Sequence, residues 1–174
     1  MDTQPVLLRN VYIYARRYSE AEIHFERMGQ RDSTSSDGDF GLFEATLQAG
    51  KIDKATAAAL RLASRPDAQP SELEWRLARI AAKAGRREEA LTRVRHLEEL
   101  AQKEKGVRGQ QFDPYSFATI YARLGMKEEA LGWIERSFFQ QSNFLVRLNI
   151  APEFDILRND PRFSAFLRRA GFLD

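Results

Sequence analysis

The hydrophobic positions of this chain recur at helical spacing. Between residues 73 and 84 the apolar side chains fall three and four positions apart, which places them on one face of an amphipathic helix. Gly85 begins a short polar stretch, and the apolar positions then resume from Ala90 to Ala101. The pattern predicts a helix, a tight turn and a second helix. The alternation typical of strands is nearly absent and strong helix formers are abundant, so we predict an all-α protein.

The same helix-turn-helix unit recurs four times along the chain. Aligning the small residue of each second helix gives Ala21, Ala55, Ala90 and Ala130, which are separated by 34, 35 and 40 residues. The last interval is longer because a polar, glycine-containing stretch at 102–111 precedes the fourth unit. One helix pair cannot bury its own apolar face, so at least three stacked units are needed for a stable core.

These units resemble the tetratricopeptide repeat, whose large, small and aromatic positions recur with a period of about 34 residues. The fourth unit matches its signature best, at Phe117, Ala118, Tyr121, Ala130 and Ile134. No unit has the opening Trp, and Arg16 stands where the other units have Gly. The resemblance implies a right-handed superhelix, an α-α solenoid of about four helix pairs plus C-terminal capping helices. The predicted single domain spans 1–174, with repeats at about 2–35, 36–70, 71–110 and 111–144 and a cap at 145–174.

The stretch from 151 to 171 also resembles the segment that closes tetratricopeptide modules in bacterial multidomain regulators. Within it, Asp160 has the residue type of a helix N-cap and Pro161 that of a first helical position. Phe163, Phe166 and Leu167 would then lie on the apolar face of a last helix. We therefore predict that this helix covers the open end of the stack.

The composition disfavours catalysis, membrane insertion and nucleic-acid binding. The chain has no Cys, two His, and no phosphate-loop or metal-binding motif, so we predict no enzyme, catalytic residue, cofactor or metal site. No apolar run reaches the roughly 18–20 residues of a membrane span, and the N-terminus has no signal-peptide pattern, so we expect a cytoplasmic protein without a membrane partner. A net charge of +2 is small for a nucleic-acid-binding surface, which disfavours an RNA-binding helical repeat.

The resemblance implies that the first helix of each pair lines a concave groove for a peptide or protein partner. The residues predicted to face this groove are Asn10, Tyr14, Phe40, Glu44, Trp75, Arg76, Arg79, Lys83, Tyr115 and Thr119. Arg76, Arg79 and Lys83 lie three and four positions apart and share one helix face, which favours an acidic or phosphorylated partner segment. Of 27 basic residues 21 are Arg, which reflects either a GC-rich genome or a surface for carboxylates and phosphates.

Other interpretations stay open besides that of a binding scaffold. Leu7, Leu8, Val11 and Tyr12 would be exposed in the first repeat, and terminal repeats normally need a cap for solubility. This end would pack either on a missing N-terminal domain or on a second copy of the chain. The first arrangement fits a regulatory or dimerisation module excised from a larger bacterial regulator, and the second predicts a homodimer.

Overall fold

The computed structural model describes residues 4–108 and 113–173, and it places only helices and loops in those ranges. This confirms the predicted all-α fold class. The α-helices are α1 (Gln4–Tyr14), α2 (Tyr18–Arg31), α3 (Asp37–Gln48), α4 (Ile52–Ala63), α5 (Pro70–Lys83), α6 (Arg87–Arg108), α7 (Pro114–Arg123), α8 (Lys127–Phe139) and α9 (Pro161–Arg169). Two 3-10 helices, η1 (Asn143–Arg147) and η2 (Pro152–Leu157), lie between α8 and α9.

The two helices within each pair are joined by a tight turn with one left-handed residue. That residue is Gly50, Gly85 or Gly125 in the last three turns, with φ between 73° and 76°. In the first turn it is Arg16, with φ of 58°. A side chain in this conformation costs roughly 1–2 kcal/mol. The first turn therefore has the same backbone conformation as the other three without a glycine. The Arg16 guanidinium donates to both carboxylate oxygens of Asp155 in η2, at 2.9 and 2.7 Å.

Small residues let neighbouring helices pack closely. The aligned residues Ala21, Ala55, Ala90 and Ala130 are all completely buried, as expected of the small position of each second helix. Consecutive helices pack together from α1 to α6, and α7 packs on α5 and α8. At Gly41 on α3 a Cβ atom would lie only 2.3 Å from the ring of Phe25 on α2, which is almost completely buried. The two helices are therefore in close contact at this point.

The C-terminal segment packs on the fourth helix pair. η2 packs on α7 and α9 packs on α8. Phe154 and Phe163 are completely buried in a core that they share with α7 and α8. The Asp160 side chain accepts a hydrogen bond of 2.9 Å from the Arg162 amide, and Pro161 is the first residue of α9, as the sequence predicted.

The first helix pair leaves part of its apolar surface uncovered. The exposed fractions of Leu7, Leu8 and Val11 on α1 are 60%, 37% and 59%. Tyr12, which was expected to be exposed with them, is partly buried because it packs against Phe25. In the described part of the chain, no helix is both long and apolar enough to cross a bilayer.

Candidate functional site

A cavity of about 730 Å³ lies among the first helices of the four pairs. Its walls come from α1, α3, α5 and α7, and η1 and η2 complete them. Nine of the ten residues predicted to face a groove line this cavity: Asn10, Tyr14, Phe40, Glu44, Trp75, Arg76, Arg79, Tyr115 and Thr119. Lys83, the tenth, is exposed at the end of α5 and is not part of the lining.

One end of the cavity is closed by Glu153 of η2. The Oε1 atom of this carboxylate accepts hydrogen bonds from Gln48 at 2.8 Å, Arg123 at 2.9 Å and Arg79 at 3.3 Å. These three donors lie in the C-terminal halves of α3, α7 and α5, so the helices run in the same direction and converge on one residue. We call this end the base of the cavity.

The charged side chains at the base neutralise one another. Arg79 makes a bidentate pair with Glu44, at 2.6 and 2.8 Å, in addition to its bond to Glu153. Burial would raise the pKa of Glu153, but Arg123 and Arg79 outweigh burial and lower the pKa to about 2. Burial likewise opposes ionisation of Glu44, and Arg79 reverses the effect and lowers its pKa. The Arg79 charge that the sequence assigned to a partner is therefore bound by carboxylates of the protein itself.

We call a second group of lining residues the mouth of the cavity, and it consists of Arg9, Phe40, Arg76, Phe144 and Arg147. The Arg9 and Arg76 guanidiniums lie over the same Phe40 ring, with Cζ to ring-centre distances of 4.5 and 5.3 Å. Arg147 lies over Phe144 at 4.8 Å. Phe144 in turn stacks on Tyr115 near the start of α7, with ring centres 5.9 Å apart.

Charge compensation at the mouth is weak. Arg76 is 3% exposed, and its one ion pair is a 3.3 Å contact to Glu72, whose side chain is 49% exposed. Arg9 and Arg147 have no carboxylate within 4.0 Å among the side chains described, which are those of residues 7–103 and 113–173. Burial lowers the pKa of both Arg9 and Arg76. For Arg9 the Glu44 charge opposes this effect and the Arg147 charge adds to it. Among the described carboxylates, Glu72 alone lies within ion-pair distance of these three arginines.

The Nε atoms of three arginines are buried without a hydrogen-bond acceptor in the described residues. These atoms belong to Arg76, Arg79 and Arg123. The terminal nitrogens of Arg79 and Arg123 are bound to carboxylates at the base. Arg76 differs, because a single long bond to Glu72 is the only one that its guanidinium makes to the described part of the protein.

Two predicted lining residues take part in packing and internal hydrogen bonds. Tyr115 is 7% exposed and meets Phe154 edge to face at 5.5 Å. Thr119 donates its hydroxyl to the Ser116 carbonyl at 2.7 Å. Tyr14 borders the cavity with a hydroxyl whose pKa burial raises to about 12, so it stays protonated and can donate to a ligand.

The sequence interpretation missed several lining residues. Phe144, Arg147 and Glu153 follow the last repeat, so no repeat position assigns them to the groove. Arg9 lies four residues before Ile13, which also lines the cavity, and the two residues share a helix face. That spacing could have identified Arg9 as a lining residue from the sequence. These additions supply two of the three arginines at the mouth and the carboxylate at the base.

The described residues contain no group of three or more His, Asp or Glu that could hold a metal ion. No family model, curated protein or solved structure matches the chain. The resemblance to tetratricopeptide repeats therefore stays a prediction from the sequence, and the cavity has to be interpreted from its own residues.

Proposed function

We propose that this chain is a non-catalytic binding protein that holds a peptide segment of a partner protein in the cavity. The observation that carries the proposal is one cavity of about 730 Å³ formed jointly by all four helix pairs. That volume lies in the range of roughly 300–1,000 Å³ typical of ligand pockets. Aromatic and Arg side chains line it, and these residue types dominate binding energy in protein recognition.

We also propose that the four helix pairs form a right-handed superhelix of the tetratricopeptide type. The fully buried Ala of each second helix recurs at intervals of 34, 35 and 40 residues, which supports this arrangement. The left-handed residue in every intra-pair turn supports it as well. A groove lined by first helices follows from that architecture.

The ionisation of the buried carboxylates supports a binding role over a catalytic one. Glu44 and Glu153 are the deepest acidic groups of the cavity, and arginines lower the pKa of both. A general acid or base works best with a pKa near the operating pH. Glu44 and Glu153 stay ionised and hydrogen-bonded near neutral pH, so they are suited to stabilising the fold and poorly suited to transferring a proton.

The closed base favours a ligand that enters from the mouth. In a groove open at both ends, an extended peptide would enter at one end and leave at the other. Here Glu153 and its donors on α3, α5 and α7 occupy one of those ends. A chain end or a tight turn of the partner fits this shape better than a long strand.

Selection from a random 12-residue peptide phage library tests the proposed function. We expect selected peptides to bind with 1:1 stoichiometry in fluorescence polarisation. Ser116→Trp places a large side chain in the cavity wall and should abolish binding. Ser164→Trp makes the same change on α9, outside the cavity, and should leave binding intact. Failure to select any peptide, or equal binding by a folded Ser116→Trp variant, would contradict the proposal.

Self-association through α1 is a second candidate function, favoured by the exposure of Leu7, Leu8 and Val11. A light-scattering concentration series would show a doubling of mass in the wild type. The double substitution Leu7→Gln, Val11→Gln should keep the chain monomeric. A wild type that stays monomeric at high concentration would remove this candidate.

A further inference from the structure

We propose that the mouth of the cavity is an oxyanion subsite, in which Arg9, Arg76 and Arg147 bind a carboxylate or phosphate group of the ligand. The assignment of that group to a peptide rests on the proposed function. The subsite itself rests on the geometry and charge of the three arginines.

The three arginines come from separate elements of the fold and line one cavity. Arg9 belongs to α1, Arg76 to α5 and Arg147 to η1, and all three line the same cavity. The Cζ atoms of the guanidiniums lie 4.5 to 5.3 Å from the ring centres of Phe40 and Phe144. A cation–π contact neither neutralises a guanidinium nor supplies an oxygen acceptor for its N–H donors.

Arg76 gives the strongest indication that the subsite binds an anion. A buried charge is costly unless it is paired and hydrogen-bonded. Arg76 is 3% exposed, its Nε has no acceptor in the described residues, and its contact with Glu72 is long. An oxyanion at the mouth would supply the acceptors that this side chain lacks.

The carboxylates nearest to the mouth are mostly committed elsewhere. Glu44 is bound by both terminal nitrogens of Arg79. Asp113 accepts bonds from the Tyr115 amide at 2.8 Å and the Ser142 hydroxyl at 2.7 Å. Asp37 faces Arg9 from the start of α3 but makes no ion pair with it.

Glu72 is therefore the one described carboxylate that pairs with any of the three arginines. For three guanidiniums, the described residues thus supply one carboxylate within 4.0 Å. A cationic ligand would be repelled, and a neutral ligand would leave the guanidiniums without compensation. A carboxylate or a phosphate matches both the charge and the planar donor pattern of arginine.

Small aromatic anions test the subsite directly. The probes are benzoate and phenyl phosphate, with neutral benzamide as the control, at constant ionic strength. The readout is the NMR signals of the arginine Nε–Hε groups. We expect both anions, but not benzamide, to shift the signals of Arg9, Arg76 and Arg147 and to leave exposed Arg168 unchanged. A larger response to one anion assigns the subsite to that group. No response to either anion, or an equal response to benzamide, overturns the proposal.

Single substitutions test each arginine. We expect Arg76→Gln to weaken binding of the more effective anion about tenfold, since a hydrogen bond to a charged group is worth roughly that factor. Arg9→Gln and Arg147→Gln affect less buried side chains and keep the test open if Arg76→Gln unfolds the protein. Arg168→Gln removes the same charge from α9 and should bind normally. Unchanged affinity in folded Arg9→Gln and Arg147→Gln would overturn the proposal.

The two proposals fail in different ways. If selected peptides bind in the cavity but neither anion shifts the arginine signals, peptide binding stands and the oxyanion subsite is refuted. If an anion binds and no peptide is selected, the subsite stands and peptide binding is refuted. The anion would then belong to a small-molecule ligand.

Discussion

Removing either of two neighbouring arginines of α5 should have opposite consequences for stability. Arg76 and Arg79 lie three residues apart, and each is 3% exposed. Substitution by Met deletes the guanidinium from either one and keeps a flexible apolar stem. We expect Arg79→Met to destabilise the fold strongly and Arg76→Met to leave its stability near that of the wild type.

The contacts of the two guanidiniums set the magnitudes. Arg79→Met leaves Glu44 and Glu153 without the donors that now approach them at 2.6, 2.8 and 3.3 Å. Removing one partner of a buried ion pair costs roughly 3–5 kcal/mol, because the other charge stays buried. At roughly 2–4 °C per kcal/mol for a protein of this size, Tm falls by roughly 6–20 °C.

Arg76→Met removes a weaker interaction. The partner, Glu72, is half exposed and returns to water when the guanidinium is deleted. Exposed ion pairs contribute roughly 0–1 kcal/mol, and deleting a buried charge also removes its desolvation cost. We therefore expect Tm to stay within about 3 °C of the wild-type value or to rise.

Differential scanning calorimetry at pH 7 measures the comparison, with urea unfolding as a second probe. The double variant Glu44→Gln, Arg79→Met is the control, because removing the orphaned charge should recover part of the loss. Equal losses of Tm in Arg76→Met and Arg79→Met would refute the reasoning. So would a double variant less stable than Arg79→Met alone.

Three further predictions concern acid stability, helix contact and helix capping. The pKa of Glu153 is about 2 in the fold against 4.5 when unperturbed, so its contribution is complete above pH 4.5 and is lost as the pH falls towards 2. Urea unfolding between pH 6 and pH 3 should therefore show a shallower pH dependence in Glu153→Gln than in the wild type. Gly41→Ala should cost roughly 1–3 kcal/mol in urea unfolding, because the new Cβ would meet the Phe25 ring. Gly132→Ala, where a Cβ meets nothing within 4 Å, should stabilise by up to about 1 kcal/mol, and a loss there would contradict this reasoning. Asp113→Ala removes the cap of α7 and should cost roughly 1–2 kcal/mol in thermal unfolding, whereas Asp113→Asn should retain most of the stability.

The helices could be predicted from the sequence because their signals are local. Apolar spacing of three and four positions identifies a helix face, and turn residues mark its end. Gly50, Gly85 and Gly125 all adopt the left-handed conformation that ends a helix. Arg16 keeps the same conformation without glycine, and its contact with Asp155, which lies 139 residues away, is not visible in a local pattern.

The positions predicted to face a groove and the residues that line the cavity coincide within the repeats and differ beyond them. Nine of ten predicted positions line one cavity, because equivalent positions of the first helices point to one side. Phe144, Arg147 and Glu153 were missed because they belong to η1 and η2, which have no repeat register. Lys83 was assigned from helix spacing alone, and it lies at the exposed end of α5.

The charge state of the site depends on contacts between distant segments rather than on helix spacing. Arg76 and Arg79 share a helix face, and from the sequence both were assigned to an acidic partner. In the structure, α3 and η2 bring Glu44 and Glu153 to Arg79 and only an exposed Glu72 to Arg76. Arg79 is already paired with two carboxylates, so it attracts a further anion only weakly. Arg76 has no such partners and keeps its attraction for an anion. We therefore expect the binding energy for a charged ligand to come from Arg9, Arg76 and Arg147 at the mouth of the cavity.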